Sequence, residues 1–206
     1  MKLDLTKQYK AYYTAKNMPE LVPIAAATFL SITGKGDPAA PEFAQNIQAL
    51  YASAYTIKFA CKAADQDFVV PKLEGQWWYD ERKYAGISMK DSPVQIARSE
   101  WEYRMLIRMP VFVTATIADA AIEQVIAKKQ LMLARAVSLF TIPAHSAVQM
   151  MHIGPFATEP ETLQQMILFM ETNKLQRGGL HHELYLTDFR KTPQEKLRTI
   201  LREPVA

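Results

Sequence analysis

Between Pro41 and Lys62 the apolar residues Phe43, Ile47, Leu50, Ala54 and Ile57 recur at steps of four and three. That is the period of one helix face, so PEFAQNIQALYASAYTIKFACK predicts an amphipathic helix with Pro41 in its first turn. The residues before it, VPIAAATFLSI from Val22 to Ile32, predict a single buried strand, and TGKGDPAAP, rich in glycine and proline, predicts the loop between them. Farther on, DFVVPKLEGQWWYD and SEWEYRMLIRMP predict two strands separated by a polar, basic segment. In the second of these, Trp101, Tyr103, Met105 and Ile107 alternate with Glu100, Glu102 and Arg104, the period of two expected in an antiparallel sheet.

The second half repeats this order. A helix is predicted from Thr116 to about Leu133, with Thr116 and Asp119 at capping-box spacing and Ile117, Ala121, Ile122 and Val125 as its apolar stripe. AVSLFTI and AHSAVQMMHIG predict strands joined at Pro143 and Ala144. A further helix starts near Thr158, where Thr158 and Glu161 have the T-x-x-E spacing and Leu163, Met166, Ile167 and Met170 share a face. HHELYLTD, His181 to Asp188, then reads as a strand. PEFAQNIQAL in the first half and PETLQQMILF in the second both open Pro-Glu and carry glutamine at the same spacing, each between a strand and further strands. The expected fold is therefore α+β: two pseudo-symmetric strand-helix-strand-strand modules forming a mostly antiparallel curved sheet, with helices on one face and a ligand cleft on the other. One domain is expected over residues 1–206, with a first module at about 20–110, a connecting helix at about 114–133 and a second module at about 136–206.

Composition narrows the class. The 206 residues are 49% hydrophobic and 22% charged, as in an ordinary globular protein. The single cysteine, Cys61, excludes an intrachain disulfide or a multi-thiolate zinc site and favours a reducing, cytoplasmic setting. No apolar run approaches the roughly eighteen residues of a membrane helix. A net charge of +3, with basic residues interleaved among apolar ones in RKTPQEKLRTILR, gives no sign of a nucleic-acid partner. Nucleotide motifs and the G-x-S-x-G elbow are absent, and no cofactor is expected.

The candidate chemistry lies in HHELYLTD. In a strand, Glu183 shares a face with His181 and Tyr185, opposite His182, Leu184 and Leu186. A carboxylate in such apolar surroundings is costly to bury without a partner. His181 and His182 point to opposite faces and cannot form a simple metal pair, so no metal is expected. The density of Trp77, Trp78, Trp101 and Tyr103 suits an aromatic wall for flat or cationic ligands. Glu159 and Glu161 are candidates for a second carboxylate, although a helix start accounts for both: Glu161 through the capping box, Glu159 through the dipole of the first turn.

MMHIGPFATEPETLQQMILFM and HHELYLTDFRKTPQEKLRTILREPV resemble the GyrI-like small-molecule-binding family, in its H-x-G-P-aromatic turn, helix and glutamate-bearing strand. FLSITGKGDP, ALYASAYTIKF, VVPKLEGQWW and SEWEYRMLIRMP are similar to its free-standing members, so the resemblance spans nearly the whole chain. It implies an aromatic cleft with Glu183 at its floor. Only about twenty residues precede the first predicted strand, which leaves no room there for the DNA-binding domain of the family's regulators. Some free-standing members are cyclopropanoid cyclopropyl hydrolases, which open the three-membered ring of planar DNA alkylators. The resemblance then implies Glu183 as general base on a water and Trp78, Trp101 and Tyr103 as stacking groups. Tyr185 is a candidate acid, with Tyr103, His152 or a second glutamate such as Glu159 as alternatives. The alternative activity is non-catalytic binding or sensing of cationic aromatic compounds. Partners are expected to be planar aromatic or cationic small molecules, with the protein a monomer or homodimer. Gln76 in LEGQWW, where an apolar residue is expected, departs from the pattern.

Overall fold

A computed structural model describes residues 2–88 and 90–206. The helices are α1 (Leu5–Gln8), α2 (Pro41–Ala63), α3 (Ser92–Gln95), α4 (Ala115–Lys129) and α5 (Glu159–Thr172). The strands are β1 (Glu20–Ile24), β2 (Ala27–Lys35), β3 (Leu73–Trp78), β4 (Glu102–Arg108), β5 (Ser138–Ile142), β6 (His145–Ile153), β7 (His181–Tyr185) and β8 (Arg198–Val205). They form one curved, open sheet in the order β1-β6-β8-β7-β3-β4-β2-β5, with every neighbouring pair antiparallel.

The predicted repeat is the symmetry of this sheet. β2-α2-β3-β4 and β6-α5-β7-β8 lie side by side and meet where β3 pairs with β7. Each module also lends its leading strand to the other: β1 precedes β2 but pairs with β6, and β5 precedes β6 but pairs with β2. The stretch Val22–Ile32 is therefore two strands and not one. The chain leaves β1, one edge of the sheet, at Ala25 and Ala26 and enters β2, next to the other edge strand β5; Pro23 is tolerated because β1 is an edge strand. β2 also runs on through Thr33 to Lys35, residues expected in the loop. Gly34 allows this, since a side chain there would overlap the ring of Tyr103 on the neighbouring strand.

α2 buries Phe43, Ile47, Leu50, Ala54 and Ile57, the predicted stripe, against Leu30, Ile32, Met105 and Ile107 of the sheet. Each fully buried side chain of this size contributes about 1.5–3 kcal/mol, so this layer anchors the first module. α4 packs in the same cluster through Ala118, Ala121, Ile122 and Val125. Its cap is Thr114, whose hydroxyl accepts from the Ile117 amide, so the predicted Thr116 and Asp119 pair does not start the helix. It also stops at Lys129, short of Leu133, where Gln130 turns left-handed at φ 54°. α5 covers Val148, Met150 and Leu201 with Leu163, Met166 and Met170. The predicted Thr158 and Glu161 capping box does not form, because the Thr158 hydroxyl donates to the Pro155 carbonyl at 2.8 Å and Glu161 is exposed.

The opposite face of the sheet is closed by the N-terminal segment. Tyr9, Tyr12 and Tyr13 pack on Leu184, Ile200 and Met151, and the Met151 amide donates to the Lys16 carbonyl at 2.7 Å. Beneath this strap lie buried polar groups: the Tyr12 hydroxyl donates to Glu74 at 2.6 Å, His182 Nε2 stands 2.9 Å from the same carboxylate, and Arg202 donates to Gln149 and to the Tyr12 carbonyl. Leu184 and Leu186, on the face of β7 opposite Glu183, lie under this tyrosine strap. The face expected to be open is thus filled, and the cavity lies on the helix-bearing face, where the modules meet. No helix among the described residues is long and apolar enough to cross a membrane.

Candidate functional site

Where β3 and β7 pair, the N-terminal ends of α2 and α5 stand apart and leave a cavity of about 340 Å³. Phe43 comes from α2, Glu159 and Leu163 from α5, and Trp77, His181, Glu183 and Tyr185 from the sheet. Phe156 and Phe189 stack edge-on against Tyr185 at 6.1 and 5.5 Å, and Trp101 borders the far side with Tyr79 at 5.2 Å. The floor is shaped by Gly75, opposite Glu183 in the sheet. A Cβ there would come within 2.9 Å of the Tyr185 hydroxyl and 3.0 Å of Trp77 Nε1.

The period of two in β7 holds: Glu183, His181 and Tyr185 share the cavity face. Glu183 is only 8% exposed and has partners on both sides. His181 Nε2 lies 3.2 Å from its Oε1, and the Tyr185 hydroxyl faces the same carboxylate. His181 Nδ1 meets Glu203 of β8, a wholly buried carboxylate that also accepts from Arg177 Nε at 3.2 Å. Burial alone would lower the His181 pKa, but the flanking Glu203 and Glu183 outweigh it and raise it to about 10, so the ring is an imidazolium at neutral pH. Burial, then the charge of Glu183, push the Tyr185 phenol well above its usual range, so it stays protonated and donates.

Glu159 differs. It is 7% exposed, its Oε1 is buried with no protein partner, and burial followed by the Glu183 charge pushes its carboxyl well above the usual range. Its surroundings favour the uncharged acid over the carboxylate, and it faces the same cavity as Glu183. Two carboxyl groups on one cavity, Glu183 beside an imidazole and Glu159 without a protein partner on Oε1, could divide the roles of base and acid.

The other expected residues fall differently. Trp101 lines the cavity. Trp78 borders it, but its ring lies over the Arg104 guanidinium, 5.7 Å away on the opposite face, and Trp77 is the indole over the floor. Tyr103 is fully buried behind Trp77 and Phe43, where its hydroxyl accepts from Asn46 at 2.9 Å; it supports the wall without touching the cavity. His152, near the end of β6, is buried against the turn before α5, bonded to Thr162 at 2.8 Å and to the Pro155 carbonyl at 3.1 Å, and does not line the cavity. Gln76 faces the other side, accepting from Arg104 at 3.0 Å. Sequence reasoning named His181 and Trp77 without giving either a role at the site, and passed over Glu203 and Arg177. The parity of β7 already put His181 on the face of Glu183, but Glu203 required the pairing of β7 with β8. Among the described residues, no three His, Cys, Asp or Glu side chains are grouped to hold a metal ion.

The GyrI-like small molecule binding domain matches residues 111–206. An uncharacterized conserved protein from Listeria innocua is 38% identical over the whole of both chains, with a TM-score of 0.88. A protein from Listeria innocua named a hydrolase is 37% identical, again over the whole of both chains, with a TM-score of 0.85. The C-terminal domain of EcmrR shares the fold at 13% identity, covering 92% of this chain and 97% of that one with a TM-score of 0.53. No curated protein matches the sequence significantly. An aromatic cavity at the junction of two repeated modules, with a buried glutamate on its floor, thus stands on a chain that belongs to the GyrI-like small-molecule-binding family.

Proposed function

We propose that the protein is a hydrolase that inactivates planar electrophiles bearing a strained three-membered ring fused to a dienone. The observation that carries this reading is the pair of carboxyl groups on one aromatic cavity: Glu183, beside His181 and Tyr185, and Glu159, whose burial favours the acid form. Trp77, Phe43 and Phe156 give the flat substrate its stacking surfaces, and Trp101 closes the side. Glu183 takes a proton from water as the water oxygen attacks a ring carbon. The carbon–carbon bond of the cyclopropane breaks, its electron pair flows through the ring system, and the dienone oxygen takes the Glu159 proton to become a phenol. One water is added, and proton exchange with solvent resets the two carboxyls. The relative named a hydrolase, at 37% identity over the whole chain, supports this class of reaction.

Incubation of the purified protein with a cyclopropane-bearing alkylator, followed by mass spectrometry, tests the proposal. A product heavier by one water, formed faster than in buffer, is expected. A second reading, binding without turnover, is favoured by the family match, and an unchanged ligand mass in a saturated complex would replace the first reading with it.

A further inference from the structure

We infer that His181, fixed between Glu203 and Glu183, is an internal counter-ion that fits the cavity to uncharged planar ligands and excludes cations. This inference rests on the reading of the aromatic cavity as the ligand site. It names the class of molecule that enters.

An aromatic wall attracts neutral and cationic flat molecules alike; the choice between them falls to the charges around it. A cation gains much less from a buried carboxylate that already has a cation beside it, because the two positive charges repel while the cost of desolvation remains. Glu183 does not lack one, because His181 Nε2 is 3.2 Å from its Oε1. His181 cannot turn away, since its other nitrogen is held by Glu203, which is wholly buried and anchored in turn by Arg177. The remaining charged groups facing the cavity are Glu81, Arg98, Glu159 and Arg177. Glu81 is itself engaged, at 3.6 Å from Arg177 Nη1. Glu159 adds no charge while protonated. Glu81, Glu183 and Glu203 are therefore matched by Arg98, Arg177 and His181, so an entering cation meets no surplus negative charge. It meets an imidazolium beside the one carboxylate on the floor. An uncharged ligand meets no such opposition, and its acceptor atom can take the unpartnered Glu159 carboxyl as donor.

Fluorescence titration of a neutral planar dye and its permanently cationic N-methylated counterpart tests the inference on wild type, His181→Gln and Glu183→Gln. Wild type is expected to bind the neutral dye about tenfold more tightly or better. His181→Gln, which keeps hydrogen-bonding capacity and removes the charge, should move the ratio toward the cation by about tenfold or more, as expected for unmasking a carboxylate in a low-dielectric site. Glu183→Gln should weaken the cation further and leave the neutral dye bound, so the inference stays exposed even if His181→Gln fails to fold. A wild-type preference for the cation, or an unchanged ratio in folded His181→Gln, would overturn it. Binding of neither dye would remove the ligand-site reading and this inference together. The titration reads no turnover, so a failure of the hydrolase reading leaves these ratios standing.

Discussion

Trp77 donates its indole N–H to the Tyr185 hydroxyl at 3.0 Å, across the strand pair that joins the two modules. With its oxygen engaged by Trp77, the Tyr185 hydroxyl has its proton free for Glu183. In the proposed reaction the tyrosine would orient the base and Glu159 would serve as the acid. Tyr185→Phe should lower turnover by at least about tenfold, the scale of a lost hydrogen bond to a charged group worth ~1.5–3 kcal/mol, with little change in KM. A variant with unchanged kcat in steady-state assays would return the tyrosine to a packing role.

Glu183→Gln and Glu159→Gln should each reduce turnover by about 10²–10⁴, the range for positioned acid–base groups. Glu159 must be protonated to act, so wild-type turnover should decline as pH rises through its raised pKa. A rate profile flat on the alkaline side would exclude Glu159 as the acid.

Stability should carry the same signature. Glu159 holds its proton more tightly folded than unfolded, so its contribution is full below the ordinary value of 4.5 and is lost as pH rises through the folded value. His181 acts in the same direction: its contribution is complete below 6.5 and lost as pH rises through about 10. Glu159→Gln, which cannot ionise, should therefore melt higher than wild type at pH about 8 and not at pH about 4. Thermal melts across that range decide it, and a difference independent of pH would contradict the assignment.

Gly75→Ala inserts a methyl 2.9 Å from the Tyr185 hydroxyl and 3.0 Å from Trp77 Nε1. It should separate that pair and cost about 1–3 kcal/mol, the usual scale of overpacking a filled core, together with a loss of turnover. Denaturant midpoints and rates measured on the same preparation would show both effects, and neither would change if the gap were roomy.

Tyr12→Phe removes the one hydroxyl that donates to buried Glu74 from the N-terminal strap. A loss of about 1–3 kcal/mol in chemical denaturation is expected, with the cavity on the other face still able to bind a planar dye. Loss of dye binding in the folded variant would instead show that the strap controls the cavity.

Several elements were legible from periodicity alone. The steps of four and three from Phe43 to Ile57 gave α2 its buried face, because a helix repeats its surface every 3.6 residues whatever it packs on. The alternation in HHELYLTD placed Glu183, His181 and Tyr185 together for the same local reason. Local pattern failed where a second element competed. Thr158 had the spacing of a cap, but its hydroxyl found the Pro155 carbonyl first. Trp77 and Trp78 are adjacent indoles, and composition gives no ground for choosing between them. The choice was made by Tyr185 on one face and Arg104 on the other.

By itself the sequence determined most of the elements, the repeated order of two modules and the side of β7 that carries the glutamate, since each depends on contacts within a short span of chain. Tertiary structure alone decided which face of the sheet stays open. The expectation put helices and cavity on opposite faces, but nothing local reveals that Tyr9, Tyr12 and Tyr13 fold back over Leu184 and cover the polar groups at Glu74, His182 and Arg202. Nor could spacing foresee the charge state of the site. Glu203 lies 20 residues beyond Glu183 in sequence, and only the antiparallel pairing of β7 with β8 brings it to His181, where two buried carboxylates hold one proton on an imidazole.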